Sequence, residues 1–434
     1  MTTRTNYVTG DVVNTIVSTA ETTLLERVTE IFPLVRDAEE IIENERRMPA
    51  EITDALYECG MYRAFLPKEL GGLEAHPVEW LEAVEALSHV NGSAGWLCML
   101  HTGQTWAGKD AMRRILEDER WIIAGNGGRA GGVARAVEGG YWVSGRWPFS
   151  SGSPEATHLF GLCVLHDDNG EVVLSPKDGT PWFVVPYFRR EDVTLHDTWD
   201  GLGLRGTGSG DFSVDEEVFV PADMVDERGI WGITYGTPHE KGPFIQAAHS
   251  AHALGLATAA LEELIKQTHL KARRGSYRQL RFATDENLHI AIARSDARIR
   301  ASRLLQNDVI SRAFESAQNN RFIDYELRVL MAEINTFIVH ECRDIVNTLF
   351  VESGVGGVGA KSRLARIFRD MAVAANHIII AQNQLPSVGA YWMTRDMEGG
   401  PFIDNIEMSA IYPPHPQFAD RANIRVDLPT RKRS

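Results

Sequence analysis

From about residue 19 to 116 the apolar positions recur with helical period. Ile41, Ile52, Leu56 and Cys59 fall on one stripe that Gly60 can stop. Trp80, Leu81, Val84 and Leu87 form the next, closed by the turn signal Asn91-Gly92. Ser93 then predicts an N-capped helix through Trp96, Leu97 and Leu100 towards Trp106. Between about 121 and 225 the texture changes. Residues 136–145 read as two strands around Gly139-Gly140, and 159–165, 182–186 and 212–220 are further strands rich in β-branched and aromatic residues. With no helical stretch between them, these strands predict an antiparallel sandwich or barrel. Helical periodicity returns from Phe244 to about Met393. Leu254, Leu261, Leu264 and Ile265 mark one helix and Leu288, Ile292 and Ile299 another, while Leu330, Ile334, Ile338 and Ile345 lie on a third, or a third and a fourth. A glycine-rich break at 354–359 precedes a last helix expected from 362 to about 383. The predicted organisation is α+β: an N-terminal helical domain (1–120), a central β-domain (121–230), a C-terminal helical bundle (231–395) and an extended, Pro-rich tail (396–434).

The charge balance removes one class of function. Against 44 Lys+Arg stand 59 Asp+Glu, a net charge of -15 over 434 residues, which leaves no basic footprint for a phosphate backbone. The apolar stretches at 251–261 and 378–381 fall short of the ~18–20 residues a membrane span needs. The first residues lack the apolar core of a secretory signal. Four scattered cysteines, with no CxxC pair, indicate neither a disulfide framework nor a zinc site, and a cytoplasmic protein is expected.

Four segments carry candidate chemistry. Residues 201–206 spell GxGxxG, but a turn and a strand follow where a dinucleotide fingerprint needs a helix N-terminus. Ser150-Ser151-Gly152, at the end of an aromatic strand, offers hydroxyls and backbone N–H donors to a planar heterocycle. A strand closing in a serine turn is the simpler account of those residues alone. On the last predicted helix Asp370 and His377 are seven apart and would share a face, with His377 placed as a general base. His101 is a second such histidine, and for both a hydrogen-bonded structural role is the commoner one. His249 and His252 are spaced HxxH without a nearby carboxylate and read as non-metal.

In this order the segments resemble the acyl-CoA dehydrogenase superfamily, and within it the flavin-dependent monooxygenases that serve as oxygenase components of two-component systems. The resemblance spans about residues 20–395. It is carried by Gly60-Met61-Tyr62-Arg63-Ala64-Phe65-Leu66-Pro67, by Gly139-Gly140-Tyr141-Trp142-Val143-Ser144-Gly145-Arg146-Trp147 with Phe149-Ser150-Ser151-Gly152, by Trp199-Asp200 and 203–209, and by Arg366, Arg369-Asp370 and His377. It implies a β-domain between N-terminal helices and a C-terminal four-helix bundle, assembled as a homotetramer, with flavin between β-domain and bundle. Ser150 and Ser151 would lie near the flavin ring edge, with Asn126, Trp147 and Trp199 as further contacts. Ser209 and Arg274 would face the phosphate, and Gly356 and Gly357 would allow close approach from an adjacent subunit.

Where acyl-CoA dehydrogenases of this pattern carry a carboxylate base shortly after the Arg-Asp pair, this chain reads Asn376-His377-Ile378-Ile379-Ile380-Ala381-Gln382, with no acid. The implied activity is oxygenation of an aromatic or polycyclic molecule through a C4a-hydroperoxyflavin. Reduced FMN (or FAD) would come from a separate NAD(P)H:flavin reductase, with O2 as oxidant. Ser150 would support the adduct, His377 would act on an acidic substrate group, and His101 would assist from the opposite wall. Trp96, Met99, Trp106 and Ala374 are expected to line the pocket. An N-oxygenase acting on an amine or amino sugar, an FAD-dependent acyl-CoA dehydrogenase and a non-catalytic scaffold are the alternatives.

Overall fold

A computed structural model of the chain describes residues 22–102, 109–174, 179–226, 241–273, 284–320, 323–382 and 385–396. Six helices come first: α1 (Leu24–Asp37), α2 (Glu39–Glu45), α3 (Ala50–Glu58), α4 (Pro77–Val90), α5 (Gly92–Thr102) and α6 (Lys109–Ile115). The stripe from Ile41 to Cys59 is split between α2 and α3, because Arg46 leaves α2 in the left-handed region at φ 58°. Ile42 is consequently buried, while Ile41 is exposed. Gly60 ends the next turn at φ 89°, a conformation glycine adopts without a Cβ penalty. The stripe of Trp80, Leu81, Val84 and Leu87 is fully buried on α4. Ser93 is not the cap of α5. Asn91 Oδ1 accepts from Ala94 N at 3.0 Å, and Ser93 Oγ instead accepts from Gly206 N at 3.1 Å, tying α5 to the glycine-rich loop.

The strands are β1 (Ile123–Asn126), β2 (Gly132–Val137), β3 (Gly140–Trp147), β4 (His158–Gly161), β5 (Cys163–His166), β6 (Phe183–Arg189), β7 (Thr194–His196), β8 (Asp211–Pro221) and β9 (Val225–Asp226). They pair in the order β1-β4-β6-β5-β2-β3-β8-β7, with β9 on β6. The expected antiparallel arrangement is corrected: β1 runs parallel to β4, and β2 parallel to β5. A parallel pair needs a crossover of about a dozen residues or more, usually a helix. Here the β2–β3 hairpin and the serine turn supply the crossover from β1 to β4. Trp147 sits at the centre of this layer, stacked on Phe212 at 4.8 Å, with its Nε1–H donated to Leu162 O at 2.9 Å. Gly132 and Gly161 make room for it, since a Cβ on either would lie within 2.4 Å of the indole.

The last helices are α7 (Lys241–Arg273), α8 (Glu286–Asn320), α9 (Tyr325–Glu352), α10 (Arg363–Ala374) and α11 (Leu385–Thr394). Leu330, Ile334, Ile338 and Ile345 all lie on α9. α7 packs against both α4 and α9, so the helices before and after the sheet share one core, and the sheet has its own. The final helix of the bundle is shorter than predicted. α10 stops at Ala374, and His377, in extended conformation (φ -67°, ψ 140°), caps a separate 3₁₀ turn, Ile378–Ile380. No described helix is long and apolar enough to cross a membrane.

Candidate active site

Three distant segments converge on Trp96. It projects from α5 towards α7, where His249 and His252, three residues apart, occupy one face. Both imidazoles meet the indole edge-on, at 5.4 Å and 5.3 Å between ring centroids. His377 completes the group at 5.4 Å from Trp96 and 4.8 Å from His249. The end of α10 therefore removes the shared helical face with Asp370, yet brings His377 to Trp96 and His249. The 3₁₀ turn that carries His377 is braced from α9, where His340 Nε2 donates to Ile380 O at 3.1 Å while Arg343 donates to His340 Nδ1 at 2.8 Å.

Trp96 also contacts the serine turn. Its Nε1–H points to Ser151 Oγ at 3.3 Å, Ser151 and Ser209 hydroxyls are 2.6 Å apart, and Ser209 and Thr207 hydroxyls are 2.6 Å apart. Thr207 Oγ1 donates to Leu204 O at 2.7 Å. Because indole N–H only donates and a carbonyl only accepts, every proton in the chain runs from Trp96 towards Leu204. Ser151 is thus committed. Ser150 is not: its hydroxyl is buried and has no partner in the protein. The turn is clamped by Ser150 N to Gly210 O at 3.0 Å and Gly152 N to Thr207 O at 2.8 Å. Just before it Phe149 adopts φ 58° and is 67% exposed, a strained and open aromatic at the edge of the site.

His101 lies beneath this turn. It packs on Tyr62 at 4.9 Å, its Nδ1–H is donated to Ile123 O at 2.9 Å, and a Cβ on Gly152 would come within 2.3 Å of its ring. That position supports Ser150–Gly152 from below, and His101 makes no ring contact with Trp96 or His377. Asn126 is held at both ends of its amide: Nδ2 donates to Pro148 O at 2.5 Å, and Oδ1 accepts from Gly128 N at 2.8 Å and Arg129 N at 3.3 Å. It braces the β1 end against the serine turn. A Cβ on Gly128 would reach 4.0 Å from Ile378, so this loop borders the His377 turn.

Burial governs the electrostatics. It pushes the imidazoles of His101, His249 and His252 down to about 4, with backbone carbonyl contacts opposing the shift. His377 is held at about 3 by burial and by the neighbouring His249, although part of its surface still reaches solvent. All four rings are neutral at pH 7. No carboxylate is among the groups that shift His377. Asp370 faces elsewhere. Its Oδ1 accepts from Leu204 N at 2.6 Å, and burial lifts its carboxyl to about 7. The adjacent Arg366 and Arg369 reach Glu39 and Glu43 of α2, so the Arg-Asp motif clamps α10 to α2 and the glycine-rich loop.

The remaining predicted contacts are scattered. Trp147, expected among the cofactor contacts, is wholly buried within the β-layer against Phe188 and Phe212. Trp199 is half-buried, its Nε1–H donated to Leu204 O at 3.1 Å. Gly356 lies at the surface in a short 3₁₀ turn beside exposed Val355, and buried Gly357 has no room for a Cβ against Ser353 Oγ. Arg274 and Trp106 lie outside the described residues. Of the predicted walls, Trp96, Met99 and Ala374 are all buried in the helical core, and Trp96 is the one in ring contact with the histidines. His249 and His252 were legible only as an HxxH spacing. His249 Nε2 and His252 Nδ1 are buried without partners, as is His101 Nε2, a cost of about 1–3 kcal/mol each, and what sets the first two apart is their ring contact with Trp96. Among the described residues no group of His, Cys, Asp and Glu is arranged to hold a metal ion.

Residues 22–114 match the family model described as the acyl-CoA dehydrogenase N-terminal domain, and 247–382 match that of the C-terminal domain, together just over half of the chain. The chain belongs to the acyl-CoA dehydrogenase family. The second match contains His249, His252 and His377. Among curated relatives, the chain is 29% identical to indole-3-acetate monooxygenase of Pseudomonas putida over 365 residues, covering 80% of this chain and 88% of that one. It is 25% identical to the oxygenase subunit HsaA of a flavin-dependent monooxygenase from Rhodococcus jostii, covering 81% and 93%. Among solved structures, XiaF from Streptomyces sp., in complex with FADH2 and glycerol, superposes with a TM-score of 0.77 at 21% identity, covering 85% of this chain and 94% of that one. The 3-HSA hydroxylase from Rhodococcus sp. RHA1 gives 0.75 at 24% identity, covering 86% and 97%. Within the acyl-CoA dehydrogenase family, the chain falls in the flavin-dependent monooxygenase branch.

Proposed function

We propose that the chain is the oxygenase component of a two-component system, taking reduced flavin from a separate NAD(P)H:flavin reductase and using O2 to hydroxylate an aromatic or polycyclic small molecule. The observation that carries this is the wall of neutral imidazoles and Trp96 facing a hydroxyl-rich turn, with no carboxylate acting on His377. A dehydrogenase needs a carboxylate there to take the α-proton of an acyl thioester. A neutral, aromatic wall suits a planar, uncharged ring.

The residues present fit a flavin. The buried Ser150 hydroxyl lacks a partner and is free to donate, and Phe149 offers an open aromatic face beside it. Ser150 would donate to the ring edge with Ser151 beside it as an acceptor, Trp199 would pack near it, and Ser209, on turning its hydroxyl away from Thr207, would address the phosphate with Arg274. Gly356 and Gly357 would border an adjacent subunit of a homotetramer. When bound, reduced flavin supplies the electrons that activate O2 for transfer of one oxygen atom to the substrate. The chain's part is to orient the substrate against Trp96, to keep water from the reacting atoms, and to hold His377 and Ser150 where charge develops. His101 acts from beneath, by fixing the turn. FMN is our proposed cofactor, with FAD as the alternative; among similar structures, one is a complex with FMN and another a complex with FADH2. The cytoplasm is the proposed location.

The test is turnover under ¹⁸O2 with NADH, FMN, a flavin reductase and indole-3-acetate or a simple phenol. One ¹⁸O atom in the product, dependent on the chain, is expected. Release of all consumed oxygen as hydrogen peroxide with every aromatic offered, together with flavin reduction by acyl thioesters, would defeat the proposal in favour of a dehydrogenase.

A further inference from the structure

We infer that His249 is the hydrogen-bond acceptor that recognises an O–H or N–H donor on the substrate ring, while His377 beside it serves as a donor. This rests on the monooxygenase reading above and divides the polar work of the site between two histidines, one of which the family motif does not mark.

The assignment follows from donor and acceptor accounting. His249 Nδ1 lies 2.9 Å from Gln246 O, and a carbonyl only accepts. Its proton is therefore on Nδ1, and Nε2 carries a lone pair. That Nε2 is buried and has no partner in the protein, on a residue only 4% exposed. His377 has the opposite tautomer. The amide N–H of Ile379 is directed at its Nδ1 at 3.4 Å, so the proton sits on Nε2. The rings lie 4.8 Å apart with 32° between their planes. Side by side, they present one acceptor and one donor against the edge of Trp96. The groups facing His249 are Trp96 from α5, His252 on its own helix and His377 from the 3₁₀ turn, all uncharged at neutral pH. Of the groups beside His249 only the Gln246 carbonyl favours an imidazolium, and burial outweighs it, so the ring accepts a hydrogen bond without taking the proton. His252 is an acceptor too, since its Nε2–H is fixed to Gly92 O at 2.9 Å and its buried Nδ1 has no partner, but it is the His249 ring that lies beside His377. A ligand whose donor meets His249 Nε2 has the donor-bearing edge of its ring turned to His249, which biases the ring position to be oxidised.

Two measurements on the full-length chain test this. In ¹⁵N-histidine NMR, with assignments from His249→Gln and His377→Asn, His249 should appear as the Nδ1–H tautomer and His377 as the Nε2–H tautomer. In anaerobic equilibrium dialysis with reduced FMN, indole should bind about threefold to tenfold more tightly than 1-methylindole, which lacks the donor. His249→Leu should reduce that preference to near unity, and His249→Gln, whose amide oxygen reaches about as far as Nε2, should restore part of it. A proton on His249 Nε2, or an undiminished preference in His249→Leu, would overturn the assignment. If His249→Leu fails to fold, the tautomer spectrum of the unaltered chain decides by itself. The expected tautomers and preference in a protein that oxygenates no aromatic would uphold the acceptor and count against the monooxygenase reading alone.

Discussion

Asp370 provides a test in which the sign of a pH effect separates two pictures of the Arg-Asp motif. Its Oδ1 accepts from the backbone N of Leu204 at 2.6 Å, and Leu204 is held in the left-handed region at φ 49°. Burial, reinforced by Glu43, raises the carboxyl from 3.8 to about 7, while the Leu204 N–H, Arg366 and Arg369 oppose the rise. Between those two values the folded chain keeps a proton that the unfolded chain has released. The stabilisation is thus fully present below pH 3.8 and is lost as pH rises through about 7. A tenfold difference in proton affinity between folded and unfolded chain is worth about 1.4 kcal/mol, so between pH 5 and 8 the group contributes a change of about 3 kcal/mol as an upper bound. Asp370→Asn keeps an acceptor for Leu204 N–H and cannot ionise. The variant should match the parent at pH 5 and exceed it at pH 8, by a few degrees in unfolding midpoint. The assay is thermal unfolding followed by tryptophan fluorescence across that range, read as the variant-minus-parent difference. Buried His101, His249, His252 and His377 titrate in both proteins and cancel in that difference. Midpoints are preferred to extrapolated free energies because a chain with separate helical and sheet cores need not unfold in one step. Parallel curves would refute the reasoning and mean that Arg366 and Arg369 keep Asp370 ionised throughout.

Three further outcomes are expected. His377→Ala should lower product formation about tenfold to hundredfold and divert oxygen to hydrogen peroxide, as loss of a donor beside the reacting atoms does; unchanged turnover and coupling would remove His377 from the site. Gly152→Ala should destabilise by about 2–5 kcal/mol, because φ is +75° and the new Cβ would meet the His101 ring at 2.3 Å. Gly139→Ala, with φ +81° and open space around the site of its Cβ, should cost only the conformational part of about 1–2 kcal/mol, and equal costs in urea unfolding would argue against a close-packed His101.

The helix–strand–helix order was legible because periodicity is local. Trp80, Leu81, Val84 and Leu87 could be assigned to one buried face from their spacing alone, and Gly139-Gly140 to a hairpin. The missing acid after Asp370 was legible too, as a matter of residue type, and it weighed against thioester chemistry before any geometry was known. Helix ends were less secure. The run from 362 to 383 keeps its apolar pattern past Ala374, and only the structure shows His377 leaving the helix to cap the next turn. The parallel pairing of β1 with β4 was also hidden, since the crossover is made of strands and carries no helical signature.

What the sequence by itself determined is which residue types stand on which local faces, because side-chain spacing along a helix or strand depends only on near neighbours. The meeting of Trp96, His249 and His377 depends on how α5, α7 and a 3₁₀ turn pack, over more than 280 positions of chain. The same packing buries His249 Nε2 without a partner and commits the Ser151 proton to Ser209. A nitrogen's lone pair or a hydroxyl's direction is set by whichever carbonyl or N–H lies opposite it. Tertiary structure alone decides that.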